Sequence, residues 1–312
     1  MMNNEQFIAS RLDKRCAYFR IANHFIAIQY DEIIDIRKGL ASFAPFSEPE
    51  CPQTGSLVAV FDISMKPAPA NDPKARLLSD VSMILDERFR FEETDEHYIT
   101  SIDASDSEGK PWKMVSTKEF TQSIIYADPD ELYSTFKCNW LIMVAFGQAV
   151  LAHKTILLHS SVIEKEGYGY AFLGKSGTGK STHSRLWLSH ISGTALLNDD
   201  NPAVRVHDDG QVIIYGTPWS GKTHCYKQKA VRLGAIIRLE QAPFNKLSWK
   251  QGKDALIALL PSGSAIRWNP SLFSSMLEIL QLIVQNVPVG YLQCLPDKDA
   301  ALLSYSEASS QG

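Results

Sequence analysis

Gly174-Lys175-Ser176-Gly177-Thr178-Gly179-Lys180-Ser181 is the stretch on which the reading of this chain turns. It fits G-x-x-x-x-G-K-[ST], and each position has a physical reason. The glycines let the backbone take positive φ, so that successive N–H groups curve around a phosphate chain. Lys180 can reach the β- and γ-phosphates, and the Ser181 hydroxyl can sit on Mg²⁺. A strand-like run, Tyr170-Ala171-Phe172-Leu173, leads into the loop. Thr182 and a helix-compatible run to His190 lead out of it. The helix aims its positive end at the same anion. The expectation is a nucleotide-binding loop over residues 174–182.

Nineteen positions after Lys180, an apolar strand ends in Asn198-Asp199-Asp200. In an α/β sheet the carboxyl ends of strands line the ligand crevice. A carboxylate there can bind Mg²⁺ or accept a proton from a hydroxyl nucleophile, and two can divide these roles. Asn-Asp-Asp is also good turn chemistry. Upstream, His159 lies in Leu157-Leu158-His159-Ser160-Ser161, read as part of one strand over 155–163. A lone strand histidine is commonly a packed, hydrogen-bonded residue. Its nearness to the loop hairpin, expected to turn over 164–169, also makes it a candidate for the site.

A second string matches the same pattern: Gly216-Thr217-Pro218-Trp219-Ser220-Gly221-Lys222-Thr223. No clear helix follows it, and Pro218 removes one N–H from any cradle. The preferred reading is a loop that packs against the first site and contributes Lys222. A structural hairpin and a second nucleotide site are the alternatives.

The remaining C-terminal half alternates strands (194–197, 212–215, 233–239, 289–295) with helical patterns (254–260, 271–287, 297–304), which implies an α/β core. Residues 1–150 read differently. Short strand-like segments, with a turn at 103–110, suggest an antiparallel β-rich module without a chemical signature. It ends in a helix whose start is marked by Asp128, Asp130 and Glu131. The expected division is a β-rich module over 1–150, with a role in acceptor recognition, and a nucleotide-binding domain over 151–312.

The chain has 312 residues, 31 Lys and Arg against 35 Asp and Glu, and a net charge of −4. That balance argues against a general nucleic-acid binder but not against a local phosphate site. Its five cysteines are scattered, with no C-x-x-C spacing, which argues against zinc and a disulfide framework. No apolar run reaches the ~20 residues of a membrane span. No signal sequence is apparent at the polar N-terminus. A cytoplasmic protein with no nucleic-acid or membrane partner is expected.

The order His159-Ser160-Ser161, hairpin, GKSGTGKS, short helix, NDD resembles the catalytic domain of HPr kinase/phosphorylase. More distantly it is similar to the nucleotide core of phosphoenolpyruvate carboxykinase. The resemblance runs over about residues 155–295. It implies an α/β fold of the HPr kinase-like P-loop type, with ATP and Mg²⁺ bound in a cleft. It also implies phosphoryl transfer to a serine or other hydroxyl of a protein or small molecule, and it allows a homo-oligomer. Residues 174–181 would hold the phosphates. Asp199 or Asp200 would be the general base and metal-side carboxylate; the expectation adopted is Asp199 as the base and Ser181 with Asp200 on the metal. His159 matches an active-site histidine, and Arg267 a phosphate-contacting arginine. Two departures count. The strand over 211–215 lacks the family's metal glutamate, and residues 216–223 replace its signature loop. A non-catalytic ATP-binding sensor or assembly module is the second reading. A carboxykinase-like enzyme is the third, although its metal-binding Lys/His set is not identifiable.

Overall fold

A computed structural model describes residues 14–52, 56–70, 72–84, 87–102, 111–221 and 223–311. The polar N-terminus, the turn expected at 103–110 and Lys222 therefore lie outside the described residues. The chain is mixed α/β and divides into two compact units, Met1–Ala149 and Val150–Gly312, each with its own large sheet.

The first unit carries β1 (Arg15–Ile21), β2 (His24–Tyr30), β3 (Ser47–Glu48), β4 (Leu57–Ser64), β5 (Arg76–Ile84), β6 (Glu87–Glu93), β7 (His97–Ile102), β8 (Trp112–Thr117) and β9 (Gln122–Tyr126). They form one sheet in the order β3-β1-β2-β4-β9-β8-β7-β6-β5. The expected antiparallel module is in fact mixed, because β4 pairs in parallel with both β2 and β9. Helices α1 (Ile36–Gly39) and α2 (Lys137–Ala149) complete it.

The acidic residues expected to open α2 do other work. Asp128 Oδ1 accepts from the Asp130 amide at 2.9 Å and closes a turn. Glu131 Oε2 accepts from Trp112 Nε1 and from the fully buried Lys137 Nζ, each at 2.8 Å. That carboxylate neutralises the ammonium of the first helical residue. The helix therefore begins at Lys137, past the acidic turn.

The second unit holds β10 (Thr155–Leu157), β11 (Ser160–Lys165), β12 (Tyr168–Leu173), α3 (Lys180–His190), β13 (Thr194–Asn198), β14 (Ala203–Val206), β15 (Val212–Tyr215) and β16 (Ala230–Gln241). β17 (Lys246–Lys250), α4 (Gly252–Leu259), α5 (Pro270–Asn286), β18 (Val289–Cys294) and α6 (Lys298–Ser309) follow. The sheet path is β10-β14-β15-β16-β12-β11-β13. β16 is long enough to pair with β15 near its start and β18 near its end on one side, and with β12 on the other.

Alternation along the strands feeds two cores. Val162, Ala171, Leu173 and Ile236 join the cluster covered by α4 and α5. Ile163, Tyr170, Phe172 and Ile237 join the one covered by Trp187 of α3 and Ala301 of α6. Helices thus cover both faces of the sheet, which is the usual reason its central strands are apolar on both sides.

The strand expected over 155–163 is two strands. β10 pairs with β14, whereas β11 pairs with β12 and β13. Between them Leu158 N donates to Pro202 O and His159 N to Ser262 O. One straight strand cannot serve opposite ends of the sheet, so the chain crosses over at 158–159. The turn expected over 164–169 is shorter than the sequence suggested. Only Glu166 and Gly167 turn, with φ of 52° and 84°. Among the described residues no helix is long and apolar enough to cross a membrane, and all five cysteines are free.

Candidate active site

β12 and β13 run parallel with β11 antiparallel between them. The carboxyl ends of β12, β13, β16 and β18 consequently lie at one edge of the sheet, with the start of β11. That edge collects nearly every residue singled out in the sequence.

The loop leaves β12 at Leu173 and enters α3 at Lys180. Thr178 closes it on the inside, its amide and hydroxyl both donating to Lys175 O at 3.1 and 2.8 Å. Gly177 and Gly179 take φ of 79° and 108°, and a Cβ added to either would meet no heavy atom within 4 Å. The concave side is therefore open space bounded by backbone, at the positive end of an 11-residue helix. Ser181 and Thr182 occupy the first turn of α3, both half-buried. Gly177, Gly179, Thr178 and Thr182 also line a cleft of about 570 Å³, whose other wall is apolar: Leu186, Leu239, Pro243 and Leu295.

Lys180 is buried, with Nζ 3.0 Å from Gly174 O and 3.0 Å from His159 Nε2. Burial pulls its pKa below the ordinary lysine value. Asp200 and Asp199 oppose that fall, and Arg238 adds to it. His159 Nδ1 is 3.0 Å from Asp200 Oδ1. A carboxylate can only accept, so Nδ1 carries the proton and Nε2 presents its lone pair to the Lys180 ammonium. Asp200, His159 and Lys180 thus form one hydrogen-bonded chain. Asp200 Oδ2 also accepts from Asn201 at 2.8 Å.

Asp199 is buried beside this chain. Its Oδ1 accepts from Ser161 Oγ at 2.6 Å and its Oδ2 from Thr223 Oγ1 at 2.6 Å. Ser184 of α3 lies 2.7 Å from Ser161, and the Asp199 amide donates to Ser220 Oγ at 3.1 Å. The second glycine-lysine string therefore packs on the acidic pair through Ser220 and Thr223. Thr217 Oγ1 donates to Asn201 O and Trp219 O accepts from the Asn201 amide, and among the described residues this string, unlike the first, does not lead into a helix.

Arg267 is exposed in the turn before α5. The link from that region to the site is the Ser262 carbonyl on the His159 amide. Sequence reasoning missed Arg238, which stands opposite Leu173 across the β16–β12 pairing and donates to Ala258 O at 2.9 Å. It also missed Ser161, Ser184 and Thr223. A hydroxyl pair at 160–161 inside an apolar strand was the available signal for Ser161; nothing local marks Arg238.

Among the described residues, no group of three or more His, Cys, Asp or Glu could hold a metal alone. A magnesium ion commonly takes one or two carboxylates, with phosphate oxygens and water supplying the rest. The donor set Ser181 and Asp200 fits that pattern. No protein-family model matches the chain, and no curated protein matches it.

Proposed function

We propose that the Val150–Gly312 unit is an HPr kinase-like P-loop domain that transfers the γ-phosphoryl group of ATP to a hydroxyl of a protein or small molecule. The observation that carries this reading is the hydrogen-bonded chain from Lys180 through His159 to Asp200, set against an open glycine cradle with Asp199 alongside. These are a phosphate-binding cation, an anion cradle and two carboxylates within one strand-end crevice.

Each group has a task. The loop amides and the α3 N-terminus bind the phosphates. Lys180, held by Gly174 O and His159 Nε2, is a pre-positioned cation that exchanges these neutral partners for phosphate oxygens. Asp200 fixes the His159 tautomer. Asp199 receives the acceptor's proton, and its orientation is set by Ser161 from one side. The apolar wall of the cleft suits the flat face of a base, with its polar wall leading to the loop. Ser181 and Asp200 would hold Mg²⁺, which when bound neutralises charge on the phosphates.

A sensor that binds ATP without transferring it is favoured by one observation: both Asp199 oxygens already accept hydroxyl protons. Calorimetry and labelled ATP separate the readings. Lys180→Ala should abolish ATP binding, and unchanged binding would remove the P-loop assignment. Asp199→Asn should keep ATP affinity and lose transfer of γ-label to acceptors in a cell extract. Binding with no labelled acceptor in the wild-type reaction supports the sensor.

A further inference from the structure

Thr223 is the last residue of the second glycine-lysine string, and its side chain is exposed although its hydroxyl sits on a buried carboxylate. Oγ1 donates to Asp199 Oδ2 at 2.6 Å. The hydroxyl on the other oxygen, that of Ser161, is fully buried. Asp199 thus has one sealed partner, which orients it, and one partner at the surface. A hydroxyl awaiting transfer must reach its base at about this distance, 2.6–3.2 Å.

The neighbouring residues keep the segment against both carboxylates. Ser220 Oγ accepts from the Asp199 amide. A Cβ on Gly221 would lie 3.1 Å from Asp200 Cβ and 3.3 Å from Asp199 O, at a φ of +32°, so a side chain here would press the segment away from the acidic pair by a few tenths of an ångström. Asp200 in turn connects through His159 to the phosphate-loop lysine.

We propose that Thr223 is itself a phosphoacceptor, modified in cis by the nucleotide site of its own chain. The inference rests on the function proposed above. Thr223 Oγ1 attacks the γ-phosphorus of ATP while its proton passes to Asp199 Oδ2. The bond from the γ-phosphorus to the bridging oxygen breaks, and ADP leaves with that electron pair. The unmodified segment occupies the place of an outside hydroxyl. Phosphothreonine carries about −1.5 to −2 charges, and beside Asp199 and Asp200 it is repelled. Modification therefore frees Asp199 for an outside acceptor.

The test uses the full chain with Mg²⁺ and γ-labelled ATP, followed by phosphopeptide mapping. One phosphoryl group on Thr223 is expected, formed at a per-chain rate independent of protein concentration. Thr223→Ala should lose the label, and Thr223→Ser should regain it as phosphoserine. Wild-type chain mixed with Lys180→Ala chain should label only itself; label on the variant would overturn the route in cis. Calorimetric ATP binding without phosphate on residue 223 overturns this inference and leaves the nucleotide site standing. Absence of ATP binding overturns both.

Discussion

Replacing Ser304 with alanine removes one hydroxyl from the contact between α6 and α3. That hydroxyl accepts from Trp187 Nε1 at 2.9 Å, lies 2.9 Å from His183 Nε2 and donates to Ala301 O at 3.0 Å. With its proton directed at Ala301, it receives both ring N–H groups. Trp187 and His183 are buried, and His183 Nδ1 has no hydrogen-bond partner. Alanine therefore leaves two buried N–H groups unpaired, each costing about 1–3 kcal/mol, so the expected loss is about 2–6 kcal/mol. Amide hydrogen exchange on α3 and α6 reads it directly. A loss of about 3 kcal/mol speeds exchange about a hundredfold, at about 1.4 kcal/mol per tenfold. ATP affinity should fall as well, since α3 carries Lys180. In a Trp187→Phe background the same substitution should cost less, because one orphan is already gone. Exchange within about twofold of wild type would refute the reasoning, showing that Ser304 is not the partner on which these rings depend.

Three further outcomes follow from the same site. Burial holds His183 at about 4, below the ordinary 6.5. Between those values the unfolded chain binds the extra proton, so stability falls as pH drops through the window, by about 3 kcal/mol once pH is below both. Urea midpoints measured from pH 7 to 4 should show a slope that His183→Gln flattens; equal slopes would refute it. The lowered pKa of Lys180 rises again when phosphate replaces neutral partners, so ATP binding in alkaline buffer takes up protons. Calorimetry in two buffers of different ionisation heat should then give different enthalpies for wild type and matching ones for Lys180→Arg. Gly179→Ala forces a side chain into φ 108° and places a methyl group in the open cradle. It should lower stability by about 1–3 kcal/mol. ATP affinity should fall more than a thermal melt would account for, and an unchanged affinity would show the cradle to be elsewhere.

The glycine-rich loop was legible as a strand–loop–helix unit because its pattern is local: a strand, three glycines, a lysine and a helix follow one another along the chain. The acidic pair was legible for a related reason, since Asp199 and Asp200 directly follow an apolar strand. What the sequence concealed depends on which strands meet. Arg238 becomes a neighbour of the loop only because β16 runs parallel to β12. The 155–163 segment looked continuous because no proline or glycine breaks it; the break arises from pairing at two distant places in one sheet. β14 and β17 were missed outright. β14 is only four residues long, and β17, Lys-Leu-Ser-Trp-Lys, follows a turn and carries lysines at both ends. The acidic turn at 128–131 misled in a different way. Carboxylates suit a helix start, but Glu131 is taken by a buried lysine and a tryptophan that only tertiary structure supplies.

The two-residue turn at Glu166 and Gly167 stands at the opposite end of the β11–β12 hairpin from the site, about 20 Å away at ~3.3 Å per strand residue. It nevertheless sets how the residues of the candidate site are aligned. His159 precedes one arm and Lys180 follows the other, so their meeting depends on how the arms are aligned, and Ser160 stands opposite Leu173 only while the turn contains two residues. A slip of one position would exchange inward- and outward-facing side chains along a whole arm. It would carry Ser161 away from Asp199 and His159 away from Lys180 together. The hairpin is in effect a measuring rod: the positive φ of Gly167, 84°, belongs to the turn that sets the alignment of residues six strand positions away.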